Sequence, residues 1–468
     1  MGRGWKVLAT TSLGSLMVFI DTSILNVAFR DMVRDLGSQH QQQLTWVFSA
    51  YSIAFAAALL TAGRAADRIG RKRAFLWGVA IFAIGSALCA AAPSVGLLIG
   101  ARIIQAIGGS LIVPSALALV LPEFPPERRS VAIGISGAVG GLSAALGPTI
   151  GGVLVEHFGW RSVFTVNLPI SVLALVIGVR LLTESKDPTA TSVPDPLGGL
   201  LAVAGFGLLT AAIVQGDDWG WTSPRIVGAI VLSVVFVAVL VQRCRTHPVP
   251  VVDLTLFQLR FFSAAVLASM LFSMGFFAMF FTNVAFLQGV LKFGPMKSGF
   301  ASAPGPIMAA VFAGPAGKWA AQRGHKLVIV PGLAIFAAGI LLVINRAHPG
   351  GNYWTMFFPA YLLTGLGVGL TISTLGSASG AFLPPHRFGM GSAVNATARQ
   401  FGAALGIAAV AALRASAPKN DVMAGFRRSW WFVTVMAVLA GAAMLAFFER
   451  PSAADIEASR VRPQPTPA

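Results

Sequence analysis

The chain has 468 residues, 56% apolar and only 11% charged, where soluble proteins carry about a quarter of their residues as charges. That is too little charge to cover one or two water-soluble domains, so the composition places the chain in a bilayer. The formal charge of +17 would indicate nucleic acid only if Lys and Arg gathered on one soluble face. Cys89, Cys244 and six scattered histidines offer neither a disulfide framework nor metal-ligand spacing.

A hydrocarbon core of about 30 Å takes about 20 apolar residues as helix. By that measure fourteen spans follow along the chain, near 7–29, 44–63, 74–94, 97–121, 130–155, 162–182, 197–215, 224–242, 262–287, 297–317, 327–345, 353–376, 390–413 and 429–448. Runs of this length predict helices rather than the strands of a barrel. The first is too long for a signal-peptide apolar region and carries Asp21, so it reads as a retained span. With the amino terminus inside, and span ends counted with the loops, inner segments hold 21 of the 34 Lys and Arg and outer loops hold 11. That bias fits the positive-inside rule and predicts cytoplasmic termini. The loop with Arg414, Lys419, Arg427 and Arg428 runs against it.

Two polar, proline-bearing connections, 183–196 and 243–261, bracket the seventh and eighth spans. The expected organisation is therefore an amino-terminal six-helix bundle (1–182), a linker with two inserted helices (183–261), a second six-helix bundle (262–449) and a polar, disordered cytoplasmic tail (450–468). The bundles repeat. Gly63-Arg-Ala-Ala-Asp67-Arg68-Ile-Gly70-Arg71-Lys-Arg73 follows the second span, and Gly317-Lys-Trp-Ala-Ala321-Gln-Arg-Gly324-His325-Lys326 follows the tenth. Parallel repeats about an axis along the membrane normal are a transporter signature.

An acid near the centre of a span costs about 2.5–3.5 kcal/mol on the mildest scale and normally has a function. Asp21 is the one acid well inside a predicted span, about 13 Å from its outer end, and Arg102 lies about 8–10 Å from the outer end of the fourth. At such similar depths the two can pair, directly or through water. Burial favours the protonated acid and a guanidinium favours the carboxylate; that opposition, with solvent access alternating between sides, is what proton coupling requires. A static brace between two helices is the competing reading.

Around Gly63 and Gly70, Asp67 can cap a helix start or pair with Arg68 or Arg71, making a contact that locks one conformer. In the fifth span, Gly140, Gly141 and the run Gly147-Pro148-Thr-Ile-Gly151-Gly152 predict a kink and close helix packing. Candidate cavity residues are Asn26, Gln105, Phe276, Phe280, Asn283, Gln288 and Arg399, each with a plain packing alternative. Gly314 to Trp319 lacks the spacing and the Ser or Thr of a phosphate-binding loop, so no ATP site is expected.

These motifs together resemble the major facilitator superfamily, in particular its fourteen-helix drug:proton antiporters of the quaternary-ammonium-resistance type. The resemblance rests on the Gly63–Arg73 segment, on Arg102-Ile-Ile-Gln105-Ala-Ile-Gly108-Gly109, on Gly147 to Gly152, on Asp21-Thr-Ser-Ile-Leu-Asn26, and on Gly159-Trp-Arg161-x-x-Phe164-x-x-Asn167-x-Pro169. It departs from the usual pattern at Ala106, Ser143 and Arg30. It implies an all-helical membrane fold of two six-helix bundles plus two central helices, and proton-linked roles for Asp21 and Arg102. It also implies a conformational latch at Gly63, Asp67, Arg68, Gly70 and Arg71, and packing between the halves at Pro148. The implied activity is export of an amphiphilic small molecule, by a monomer in a bacterial plasma membrane. The proton gradient supplies the energy, with no cofactor, metal, ATP or nucleic acid and no enzymatic step. Export of one endogenous metabolite, siderophore or antibiotic is the alternative. A proton-coupled peptide importer would carry Glu-x-x-Glu-Arg in the first span, and Gly4 to Arg30 contains no Glu.

Overall fold

Because lipid offers no hydrogen bonds, each crossing must satisfy its own backbone, and in the computed structural model of the protein all regular secondary structure among the described residues is helical. These are residues 2–37, 41–186, 195–248, 250–383, 385–418 and 421–449. The proposed tail and most of the 183–196 connection lie outside them.

Among the described residues, fourteen longer helices overlap the predicted spans, but the sixth, tenth and twelfth spans begin in separate short helices, Ser162–Thr165, Pro295–Ser302 and Tyr353–Met356. The first half has α1 (Arg3–Leu36), α2 (Trp46–Ile69), α3 (Arg71–Ala91), α4 (Val95–Val120), α5 (Pro126–Phe158) and α6 (Asn167–Leu181). The inserted pair is α7 (Pro196–Trp219) and α8 (Pro224–Thr246). The second half has α9 (Arg260–Gly289), α10 (Pro304–Arg323), α11 (Lys326–Arg346), α12 (Phe358–Gly380), α13 (Pro385–Ala415) and α14 (Val422–Phe447).

Eleven of the described helices are long and apolar enough by themselves to cross a membrane, or twelve if α2, bent by 47°, counts as one span. The remaining two are α5 and α10, which pack against each other across the halves. Close packing there favours glycine and alanine over bulky apolar residues, which lowers hydropathy without shortening the helix.

The halves repeat in their packing. In the first, α1 packs on α4, α5 and α6, and α4 on α2 and α3; in the second, α9 packs on α12, α13 and α14, and α12 on α10 and α11. The seams between halves are related in the same way, α2 with α13 and α5 with α10. The inserted α7 lies along the first seam, touching both α2 and α13, with Phe206 stacked on Phe401. Its cap residue Asp195 is ion-paired with Arg243 at the end of α8. Burial raises the pKa of this carboxyl, but hydrogen bonds from Arg243 and the Gly198 N–H outweigh it and hold the group below the usual carboxylate range.

Two expectations need correction. The first helix runs on to Leu36, beyond the predicted end at 29, because hydropathy reports the hydrocarbon layer and not where the backbone stops being helical. The segment 63–73 is not an open loop: α2 continues to Ile69 and α3 starts at Arg71, leaving Gly70 alone as the turn, at φ +121°. Gly324 makes the same turn between α10 and α11 at φ +96°. The repeat read from sequence is thus a repeat of backbone geometry.

Candidate functional site

Asp21 and Arg102 form an ion pair between α1 and α4, each side chain only 1% exposed. Two buried charges are tolerated where their remaining hydrogen-bond capacity is largely met; both have further partners here, while Tyr51 Oη and Asn167 Oδ1 beside them are buried without one. Arg102 Nε donates to the Val47 carbonyl on α2 at 3.1 Å, and its guanidinium lies 4.0 Å over the Tyr51 ring. Asp21 Oδ1 accepts from Gln105 Nε2 at 2.8 Å and from Asn167 Nδ2 at 3.3 Å. Ser86 Oγ accepts from the same two amides at 2.8 and 3.3 Å, and Gln105 Oε1 accepts from Arg102. Helices α4 and α6 bond the carboxylate of α1 directly, and α2 and α3 hold the groups that do so.

Gln105, expected at the cavity, is therefore a fully buried part of this network, because a residue three positions after Arg102 lies on the same helix face. Ser86 and Tyr51 gave no sequence signal, since a Ser or Tyr in an apolar run is ordinary. Asn167 was legible only through the motif it shares with Trp160 and Arg161.

At the expected latch, Asp67 Oδ1 accepts from Arg71 Nε at 2.8 Å across the Gly70 turn, while Arg68 is exposed and Gly63 lies one helical turn before Asp67. Glu184, absent from the sequence reading, accepts from the Lys72 and Arg73 backbone N–H groups at 3.1 and 3.3 Å and so caps α3. An alanine Cβ at Gly70 would stand 2.5 Å from the Glu184 carboxyl.

A second cluster joins the halves where α1, α5 and α9 end. Gln288 Nε2 donates to the Val27 carbonyl at 2.9 Å and to Ser298 Oγ at 3.0 Å. Arg30 donates to the Gln288 carbonyl, and Glu156 Oε2 accepts from the Met296 N–H at 2.9 Å. Gly147 and Gly151 bring α5 against α1, and at Gly152 a Cβ would meet the Pro295 carbonyl at 2.6 Å. The Pro148 carbonyl in turn lies against Gly299 of the short helix Pro295–Ser302. Phe281 packs edge-on against Phe29 and Phe48 across the same junction, and the three ring centroids lie 5.0 to 5.8 Å apart. Of Gly140 and Gly141 the structure describes only the backbone.

The remaining cavity candidates divide. Asn283 Oδ1 accepts from Trp430 Nε1 at 2.9 Å, and Asn26 Nδ2 bonds back to its own helix. Both are buried, as is Phe280. Asn283 and Gln288 are thus bonded within the protein in this conformation and do not face open space. Phe276 stacks between Phe272 and Phe280 and stays half-buried. Arg399, midway along α13, is half-buried. Among the described residues no three His, Cys, Asp or Glu side chains converge as a metal ion would require.

A helical membrane protein built from two related six-helix halves, with a buried ion pair in one of them, has the frame of a secondary transporter. The sequence matches the Major Facilitator Superfamily over residues 11–406 and 306–468, and the chain belongs to that family. It is 31% identical over 410 residues to the multidrug resistance protein Stp of Mycobacterium tuberculosis (strain CDC 1551 / Oshkosh), covering 87% of this chain and 75% of that protein. It is 32% identical over 424 residues to the multidrug efflux pump LfrA of Mycolicibacterium smegmatis, covering 90% and 82%. Against the tetracenomycin C resistance and export protein of Streptomyces glaucescens the identity is 31% over 416 residues, covering 89% and 77%. The fold is similar to that of a D-xylose-proton symporter, with a TM-score of 0.68 at 14% identity over 95% of this chain and 98% of the other. The chain is an integral membrane transporter.

Proposed function

We propose that the protein exports amphiphilic small molecules in exchange for protons, by alternating access, in the plasma membrane of a bacterium with both termini in the cytoplasm. The observation that carries the coupling is the Asp21 carboxylate, sealed against Arg102 and bonded by Gln105 and Asn167. A proton reaching it cancels the ion pair and frees Arg102, so protonation and helix rearrangement are tied together. The halves, 1–182 and 262–449, rock about the seams α2–α13 and α5–α10, and the chain works as a monomer. The clasp of Arg30, Gln288 and Glu156 is the gate of the outer face, which must part for substrate to leave. The turn at Gly70, with Gly63, Asp67, Arg68 and Arg71, is the latch of the opposite face.

A proton moving down 100 mV releases about 2.3 kcal/mol, enough for roughly a fiftyfold concentration ratio. Drug as cargo is supported by the multidrug names of several relatives. A single-compound exporter is the second reading, favoured by relatives named for tetracenomycin C, puromycin and methylenomycin A. The test is proton-driven uptake of cationic, neutral and anionic dyes into inverted vesicles. Wild type is expected to accumulate dye and Asp21→Asn to fall to background; full transport by Asp21→Asn rejects Asp21 as the coupling site.

A further inference from the structure

A groove of about 440 Å³ opens on the membrane-facing wall of the first half, between the first turns of α1 and the last turns of α6. Ala9, Val176, Ile177 and Leu181 form an apolar floor, and Lys6 and Arg180 stand on its rim. Both cations are exposed, and among the described residues neither is ion-paired. Asp21 and Glu184, the acids nearest Lys6 and Arg180 in sequence, are engaged with Arg102 and with Arg73 and the start of α3, and Glu123 pairs with Arg3. Lys72 Nζ donates to the Val179 carbonyl at 2.8 Å, one residue from Arg180.

We propose that this groove binds an anionic phospholipid, its phosphate drawn to Lys6 and Arg180 and an acyl chain lying on the apolar floor. Two free cations above an apolar floor, at the level where helices leave the hydrocarbon, match a ligand charged at one end and greasy at the other. A soluble phosphate would satisfy the rim and leave the floor empty. Through the Lys72 bond to the Val179 carbonyl the groove adjoins the start of α3.

The inference rests on the chain's being a membrane protein and not on what it transports, so the Asp21→Asn result leaves it standing. Purified full-length protein in mixed micelles is titrated with phosphatidylglycerol or with phosphatidylcholine of the same chains, and bound lipid is counted by native mass spectrometry. Wild type is expected to hold the anionic lipid more tightly. At about 1 kcal/mol per cation, or about fivefold each, Lys6→Ala/Arg180→Ala weakens its tightest site by roughly 25-fold. Lys6→Arg/Arg180→Lys retains it, and millimolar inorganic phosphate does not displace it. Equal binding of both lipids by wild type, undiminished binding by the alanine variant, or displacement by phosphate each overturns the proposal.

Discussion

Around α1 and α4, in the first half, the largest side chains closed off from solvent include Arg102 and Tyr51, and the space between helices is filled by amides, a carboxylate and a guanidinium. Around α9 and α14, in the second half, Trp430, Phe286, Phe357 and Phe426 pack ring against ring with centroids 5.1 to 6.3 Å apart. One packing plan thus carries two chemistries. A polar network in a water-excluded interior is strong when satisfied and costly when broken, whereas an aromatic cluster loses only contact area and stacking when perturbed. The two-fold scaffold supplies two similarly packed bodies, and the proposed proton chemistry needs only one of them.

The largest effect is expected from breaking the polar half. Arg102→Ala leaves Asp21 buried without its partner, at a cost of about 3–5 kcal/mol, seen as a lowered melting temperature in detergent. Asp21→Leu/Arg102→Met replaces both charges with apolar groups and is expected to regain most of that stability while proton-driven transport stays at background. The pair separates a coupling site from a brace: a double variant that is stable and still transports reduces the ion pair to a strut. Trp430→Ala attacks the other half. It opens a cavity and frees Asn283 Oδ1, for about 3–5 kcal/mol, yet transport per folded molecule should remain proton-driven. Loss of coupling in this variant, measured as dye uptake against proton influx in vesicles, would mean that the halves do not divide the work as proposed.

Much of this contrast was visible in the sequence. Asp21 and Arg102 are conspicuous because charge in an apolar span is expensive, and the Gly63 and Gly317 segments because they repeat. The helices were legible because hydrocarbon thickness fixes their length. What escaped was whatever depends on rotation about a helix axis and on pairing between distant segments. Gln105 reads as a cavity residue until α1 and α3 bring Asp21 and Ser86 against it, and Gln288 until Val27 of α1 lies beside it. Glu184 looked like one charge in a polar connection, yet it closes the turn more than a hundred residues earlier. The Phe29, Phe48 and Phe281 contact had no signature, since 33 Phe in an apolar chain give no reason to single out three.

The smallest expected effect compares the two repeat turns directly. Gly70 and Gly324 both hold a positive φ, at +121° and +96°, where a side chain is strained by roughly 1–3 kcal/mol, so alanine at either site should lower stability. Their surroundings differ. At Gly324 a Cβ would enter open space, whereas at Gly70 it would displace Glu184 from the two N–H groups it caps. Losing such a cap costs about 1 kcal/mol, so Gly70→Ala should be the more damaging by about that amount. In a Glu184→Gln background the cap is already weakened and the gap between the two alanine variants should narrow. Melting curves of the four proteins decide it. Equal losses at Gly70 and Gly324 with Glu184 intact would show that the strained backbone alone sets the cost, and that the first turn owes nothing to the acid the second one lacks.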